Sequence, residues 1–299
     1  MIRCLIVIVS ISLQIRTSSA QILEYSKLIE AINQRAKSSV FVERAPHSGS
    51  GTVFKVPFSD TTTAGIVLVL TAKHILEDRD SDGKVVMTNG RCLVYFNRRD
   101  HRPESRRYGL TQTWDSLDIA ILQPIDKYRP FDEYDTYVPT ISNIASHQDV
   151  KPGEVAFLAG FPLEIGANLS SHLNPVIQTG SIAYVDTIRN VVFVDIAVNQ
   201  GNSGCPVYIV NQAGVVKLLG LVFQYNPAND QVLRLEKSGL GIADAADVLR
   251  DTTILKTMDT YFLKPSSPGF KLAPANSGLG KVVMLAPVIE DIRKKVQSK

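Results

Sequence analysis

The chain has 299 residues, 44% of them hydrophobic and 20% charged, with a formal net charge of +3. That is the composition of an ordinary folded protein whose core is large enough to need no metal or disulfide staple. The small net charge gives no reason to expect nucleic acid or an anionic membrane surface as a partner.

Residues 1–20 read as a secretory signal peptide. A basic start, Met1-Ile2-Arg3, precedes the apolar run Cys4–Leu13, and Ser18 and Ala20 are the small residues before a cleavage point at Gln21. The apolar run is too short to span a bilayer, so no stable membrane anchor is expected after cleavage. The location this implies is secreted or periplasmic. Cys92 and Cys205 then remain, and their distance in the chain favours two buried thiols over a bridge.

Residues 21–39 form an N-terminal helical segment, because Ile22, Tyr25, Leu28, Ile29 and Ile32 recur on one helical face. Strand-like text begins at Val40. The turn Ser48-Gly49-Ser50-Gly51 runs into a strand over Thr52–Val56. The run Ile66–Thr71 reads as a buried strand that leads directly into Ala72-Lys73-His74. A histidine there is fixed at its backbone while its ring can face a cleft. Asp78–Gly83 matches the first half of a calcium loop, but Asn89 stands where the bidentate Glu belongs. An acidic hairpin tip is the better reading, and no metal and no cofactor are expected. Arg91–Phe96 is another strand, and Asn97–Arg107, which holds five arginines, reads as a solvated surface loop. In Ser116–Leu122 one acid, Asp118, opens an otherwise apolar strand. A buried carboxylate without a partner is costly, and a histidine N–H would suit it.

Residues 127–150 carry few apolar groups and read as a linker. Strand signals follow at 153–162, 176–186 and 191–198, and Pro206–Val210 and Val215–Phe223 flank a hairpin turn. Gly239–Ala243 precedes a helix starting near Asp244. After about residue 264 the text turns to Pro, Ser and Gly, and a short helix then begins at Pro287, with Val288, Ile289, Ile292 and Val296 on one face. No internal sequence repeat is visible.

The stretch Val194–Val207, VDIAVNQGNSGCPV, sets Ser203 in a glycine-flanked turn. Glycine tolerates the backbone conformations that lift such a side chain to the surface. The backbone N–H groups of Gly201 and Ser203 are the expected donors for an oxyanion. A serine nucleophile needs a base, and the base an orienter. His74, Asp118 and Ser203, in that order, supply all three roles. A serine esterase of the α/β-hydrolase type would place Ser before Asp before His, the reverse of what is found.

At these residues the chain resembles the chymotrypsin-like serine proteases, most closely the exported HtrA-type and glutamyl-endopeptidase-like branches. The matching text is Gly49-Ser50-Gly51-Thr52, Thr71–His74, Leu117–Leu122, Thr179–Ile182 and Asp195–Val207, within roughly residues 40–250. The resemblance implies an all-β fold: two antiparallel six-stranded β-barrels with the active site in the cleft between them, plus an N-terminal helix and C-terminal helical elements. The barrels would be residues 40–126 and 151–245, with a C-terminal helix and tail at 246–299. His74 would act as base, Asp118 as its orienter and Ser203 as nucleophile. In this family the residue six positions before the serine lies at the base of the substrate pocket. That position is Ala197, next to Ile196, and the pocket wall would be Gly220-Leu221-Val222-Phe223. None carries a charge, so the pocket is expected to take small or medium uncharged side chains.

Three departures stand out. Cys205 replaces the usual glycine or serine. No PDZ domain is expected after the protease region. A helix follows Gln21, in place of the Ile/Val-rich start that inserts on zymogen cleavage. The expected function is a secreted serine endopeptidase acting on protein or peptide substrates through an acyl-enzyme, with the oligomeric state open. The alternative is a catalytically inactive trypsin-like fold that serves as a protein-binding module.

Overall fold

The computed structural model describes residues 26–297 except 60, 61, 63, 80–83, 89, 101, 127–132, 169–171, 212–213, 235–254, 258–259 and 263–270. The leader and the segment Gly239–Asp244 lie outside the described residues. Two closed six-stranded antiparallel barrels carry the fold. The first is built from β1 (Ser39–Arg44), β2 (His47–Pro57), β3 (Gly65–Ala72), β4 (Arg91–Asn97), β5 (Pro103–Trp114) and β6 (Ile119–Pro124), in the order β1-β2-β3-β6-β5-β4. The second is built from β7 (Val155–Gly160), β8 (Val176–Asp186), β9 (Val191–Asp195), β10 (Pro206–Val210), β11 (Val216–Arg234) and β12 (Lys271–Met284), in the order β7-β8-β9-β12-β11-β10. The two orders are the same, so the fold repeats although the sequence does not.

The buried strands show why their text is apolar without alternation. Along β3, Val67 and Val69 fill the first barrel, while Leu68 and Leu70 face outward into a second apolar cluster. In β6 the same split puts Ala120 and Leu122 inside and Ile119 and Ile121 outside. Leu158 in β7, with Val282 and Met284 in β12, lines the second barrel, and Phe157 and Val283 face the outer cluster. Successive residues of a strand point to opposite faces, so a strand buried on both faces reads as one continuous apolar run.

The outer cluster is covered by the C-terminal helix α1 (Ala286–Gln297), which buries Val288, Ile289 and Ile292. The expected apolar face of this helix is therefore present. Ile32, from helical residues 26–36 near the start of the chain, joins the same cluster. Arg35 in that segment stacks over the Tyr137 ring, 4.1 Å from its centroid. A separate compact unit, residues 226–277, contains a two-stranded antiparallel sheet, Leu255–Thr257 with Thr260–Phe262.

Two sequence expectations are corrected. The second barrel does not close by residue 245. Its closing strand is β12, in the stretch read as tail, where Val282, Val283 and Met284 are fully buried. Pro, Ser and Gly in the first part of β12 mask its strand pattern, and its partner β9 lies about ninety residues earlier in the chain. The arginine-rich stretch is also not wholly a loop. β5 begins at Pro103, and Arg106 is buried with its guanidinium over the Tyr134 ring.

Candidate active site

β3 and β6 are paired neighbours, with Ala72 opposite Ile119. Both strands stop there, and each runs into a single 3₁₀ turn on the cleft side. After β3 comes Lys73–Leu76, anchored by the buried Ile75 and Leu76 and presenting His74. Before β6 comes Asp115–Leu117, closed by Asp118 in the left-handed conformation with φ 53°. An Asp tolerates that conformation better than most residues. Asp118 thus sits just outside the strand it was expected to open. The two turns are tied together by Lys73 N–H donating to the Asp118 carbonyl at 2.8 Å.

The Asp118 carboxylate takes two bonds from one residue. Its Oδ1 accepts the His74 backbone N–H at 3.0 Å, and its Oδ2 lies 2.6 Å from His74 Nδ1. On the far side of the ring, His74 Nε2 lies 2.9 Å from Ser203 Oγ. The three side chains that were far apart in sequence are therefore one hydrogen-bonded row. With Nδ1 donating to the carboxylate, Nε2 is left as the acceptor for the serine hydroxyl.

Ser203 stands in a turn between β9 and β10. Gly201 and Gly204 have φ of +91° and +81°, conformations that side-chain-bearing residues avoid. A Cβ on Gly201 would lie 2.3 Å from the Phe161 carbonyl, and one on Gly204 would lie 2.1 Å from that of Ser50. The amides of Asn202, Gly204 and Cys205 are used inside the fold, by Asn199, Val222 and Asn202 carbonyls respectively. Those of Gly201 and Ser203 donate to no acceptor among the described residues. Asn202 is fully buried behind the turn, where its Nδ2 donates to Gln178 Oε1 at 3.0 Å. Gln178 in turn donates to the Ala197 carbonyl at 2.9 Å.

The row opens onto a cleft of about 770 Å³ whose walls include Pro46, Ser48, Glu164, Val198, Gln200 and Phe223. Lys73, Glu77 and Asp115 form an ion-pair group in the same cleft, which the sequence reading did not single out. Lys73 Nζ is 2.6 Å from the nearly buried Glu77 carboxylate and 3.2 Å from Asp115. The Lys73 ammonium beside it holds the Asp115 carboxyl below the usual range, and the two carboxylates raise Lys73. The four-residue spacing of Lys73 and Glu77 was the available sequence signal. On the far wall, Leu163 and Glu164 adopt left-handed φ values of 50° and 61°, and Ser48 Oγ donates to Glu164 Oε1 at 2.8 Å.

Of the residues expected to form the substrate pocket, Phe223 lines the cleft. The side chains of Ile196 and Val222 instead fill the second barrel and that of Leu221 joins the outer cluster, and each is at most 3% exposed. Gly220 is likewise buried, against the Val283 carbonyl. The cause is the strand period: β11 buries both its faces from Leu218 to Val222 and leaves the next side chain, Phe223, part-exposed. Ala197 is exposed beside the turn. Among the described residues no group of three or more His, Cys, Asp or Glu side chains is arranged to hold a metal ion. Cys205, directly behind the turn, and Cys92, in the first barrel, are both free and buried. Burial pushes both thiols up, that of Cys92 to about 12.

The family described as the trypsin-like peptidase domain matches residues 49–218, more than half of the chain. No curated protein matches it. Among solved structures, the chain is similar to a serine endoprotease from Yersinia pestis, at 19% identity and a TM-score of 0.49, covering 91% of this chain and 67% of that one. It is also similar to the MamO protease domain from Magnetospirillum magneticum, at 13% identity and a TM-score of 0.45, covering 86% and 97% respectively.

Proposed function

Because the chain belongs to the trypsin-like peptidase domain family, we propose that it is a serine endopeptidase of the exported, HtrA-type or glutamyl-endopeptidase-like kind. The observation that supports this most is the unbroken row from Asp118 through His74 to Ser203, facing a cleft beside two unused amides. In this reading His74 Nε2 takes the proton as Ser203 Oγ attacks a peptide carbonyl. Asp118 holds the ring's tautomer and stabilises the imidazolium. The oxyanion of the tetrahedral intermediate is received by the N–H groups of Gly201 and Ser203. His74 then protonates the leaving amine, and water releases the acyl group by the same steps in reverse.

The substrate side chain before the scissile bond is proposed to be uncharged and small or medium. Val198, Asn199 and Phe223 are the cleft residues next to the turn that support this, since none can ionise. Residues 1–20 are proposed as a leader cleaved on export, which makes the mature protein secreted or periplasmic.

A serine-directed fluorophosphonate tests the core of this reading. Mature wild-type protein should be labelled, and Ser203→Ala should lose both label and casein cleavage while keeping its circular dichroism spectrum. A Ser203→Ala protein that cleaves casein at the wild-type rate would overturn the assignment.

A further inference from the structure

We propose that Ser50 is a positioning residue for the nucleophile turn: reaching across from the first barrel, it holds the peptide that joins the two oxyanion donors. The proposal rests on Ser203 being the nucleophile and on the Gly201 and Ser203 amides receiving the oxyanion. Four consecutive carbonyls in this turn each accept one hydrogen bond. Gln200 O accepts from Leu163 N–H at 2.7 Å, Gly201 O from Ser50 Oγ at 2.7 Å, Asn202 O from Cys205 N–H at 3.0 Å, and Ser203 O from Ser50 N–H at 2.9 Å. Ser50 supplies two of the four.

A planar trans peptide points its N–H opposite to its C=O. With the Gln200 and Asn202 carbonyls fixed behind the turn, the Gly201 and Ser203 N–H groups face the other way. The peptide between those two units, Gly201–Asn202, is the one of the four whose carbonyl depends on a side chain. It also follows the residue with the most backbone freedom, Gly201 at φ +91°. Rotation of that peptide would swing both donors out of alignment, and the Ser50 hydroxyl opposes it.

The surroundings of Ser50 leave its hydroxyl one arrangement. The residue is fully buried. Its oxygen already accepts Phe161 N–H at 3.0 Å, so its proton goes to Gly201 O. Its own carbonyl accepts from Thr71 Oγ1 at 2.7 Å, in the strand that leads to His74. Ser50 thus links the segment carrying the base to the turn carrying the nucleophile.

Ser50→Ala and the near-isosteric, poorly donating Ser50→Cys test this together. Losing alignment of the donors should lower kcat on the order of 10²-fold in each, with KM changed by less than about threefold. A peptide trifluoromethyl ketone, whose adduct is an oxyanion, should bind more weakly by a factor similar to the loss in kcat. A merely structural role would lower the thermal midpoint and leave kcat per folded molecule unchanged, and that result would overturn the proposal. Hydrogen exchange at Asn202 and Cys205 gives a readout that needs no turnover. It should quicken by on the order of tenfold in both variants, and unchanged exchange in a folded Ser50→Cys protein would equally overturn the proposal. If wild-type protein takes no fluorophosphonate label, the endopeptidase reading fails, and the exchange measurement still decides the role of Ser50.

Discussion

Lys73 sits next to His74 in sequence and holds the site's surroundings together through charge. Its ammonium faces Glu77, whose side chain is 1% exposed, at 2.6 Å. Removing one partner of a mostly buried pair costs more than the pair contributes. Lys73→Met should therefore lower stability by about 2–3 kcal/mol in urea unfolding. Adding Glu77→Leu should recover much of the loss, and a double variant no more stable than Lys73→Met would show that the pair is not the cause. Gly201 makes the opposite kind of demand. At φ +91°, and with an added Cβ only 2.3 Å from the Phe161 carbonyl, it has no room for a methyl group. Gly201→Ala should fold less stably and lose most of its cleavage rate, read as kcat on soluble protein; wild-type kcat would mean that the turn tolerates a quite different path.

Among elements, the segment between the barrels is held near its end by the Asp149 carboxylate. Asp149 caps the 3₁₀ turn His147–Asp149 by accepting from Ser146 N–H at 2.9 Å, and it meets Lys217 of β11 at 2.7 Å. Partial burial raises its pKa, but the bonds from Lys217 and Ser146 outweigh this and bring it down to about 2. A carboxyl depressed in the folded state contributes stability above its unfolded value of about 3.9, and that contribution is lost as pH falls toward 2. The contribution, on the order of 1–2 kcal/mol, should vanish over that window in the wild type. In Lys217→Met the slope of stability against pH between about 4 and 2 should flatten; an unchanged slope would assign the acid sensitivity to other carboxylates.

The same two barrels share an outer apolar cluster that α1 covers. Phe54, Leu70 and Ile121 from the first barrel meet Phe157, Leu221 and Val283 from the second there. Ile289, 2% exposed, inserts into the cluster from the helix. Ile289→Ala should cost about 2–5 kcal/mol, as large-to-small changes in packed cores do. Because both barrels bury surface in one cluster, fluorescence and circular dichroism should report one coincident unfolding transition. Separate transitions would show that each barrel is stable alone. Burial of both thiols gives a further check at this scale: neither Cys92 nor Cys205 should react with Ellman's reagent before unfolding.

Chain order and local pattern single out the three residues of the candidate site, and the resemblance those residues carry implies the fold class. The apolar runs ending at His74 and beginning beside Asp118 are strands whose ends lie together, and Gly201 and Gly204 mark a turn that needs positive φ. Those are local properties, written in residue type and spacing. What the sequence could not show depends on partners distant in the chain. β12 reads as tail because strand pairing with β9 is invisible in its own Pro-, Ser- and Gly-containing text. That Leu221 and Val222 face away from the cleft is hidden too, because a strand's two faces look alike in sequence when both are buried. The Ser50 hydroxyl bonds to a carbonyl 151 positions away. A small polar residue between glycines reads as an ordinary turn, and only closure of both barrels brings that hydroxyl to the turn that carries Ser203.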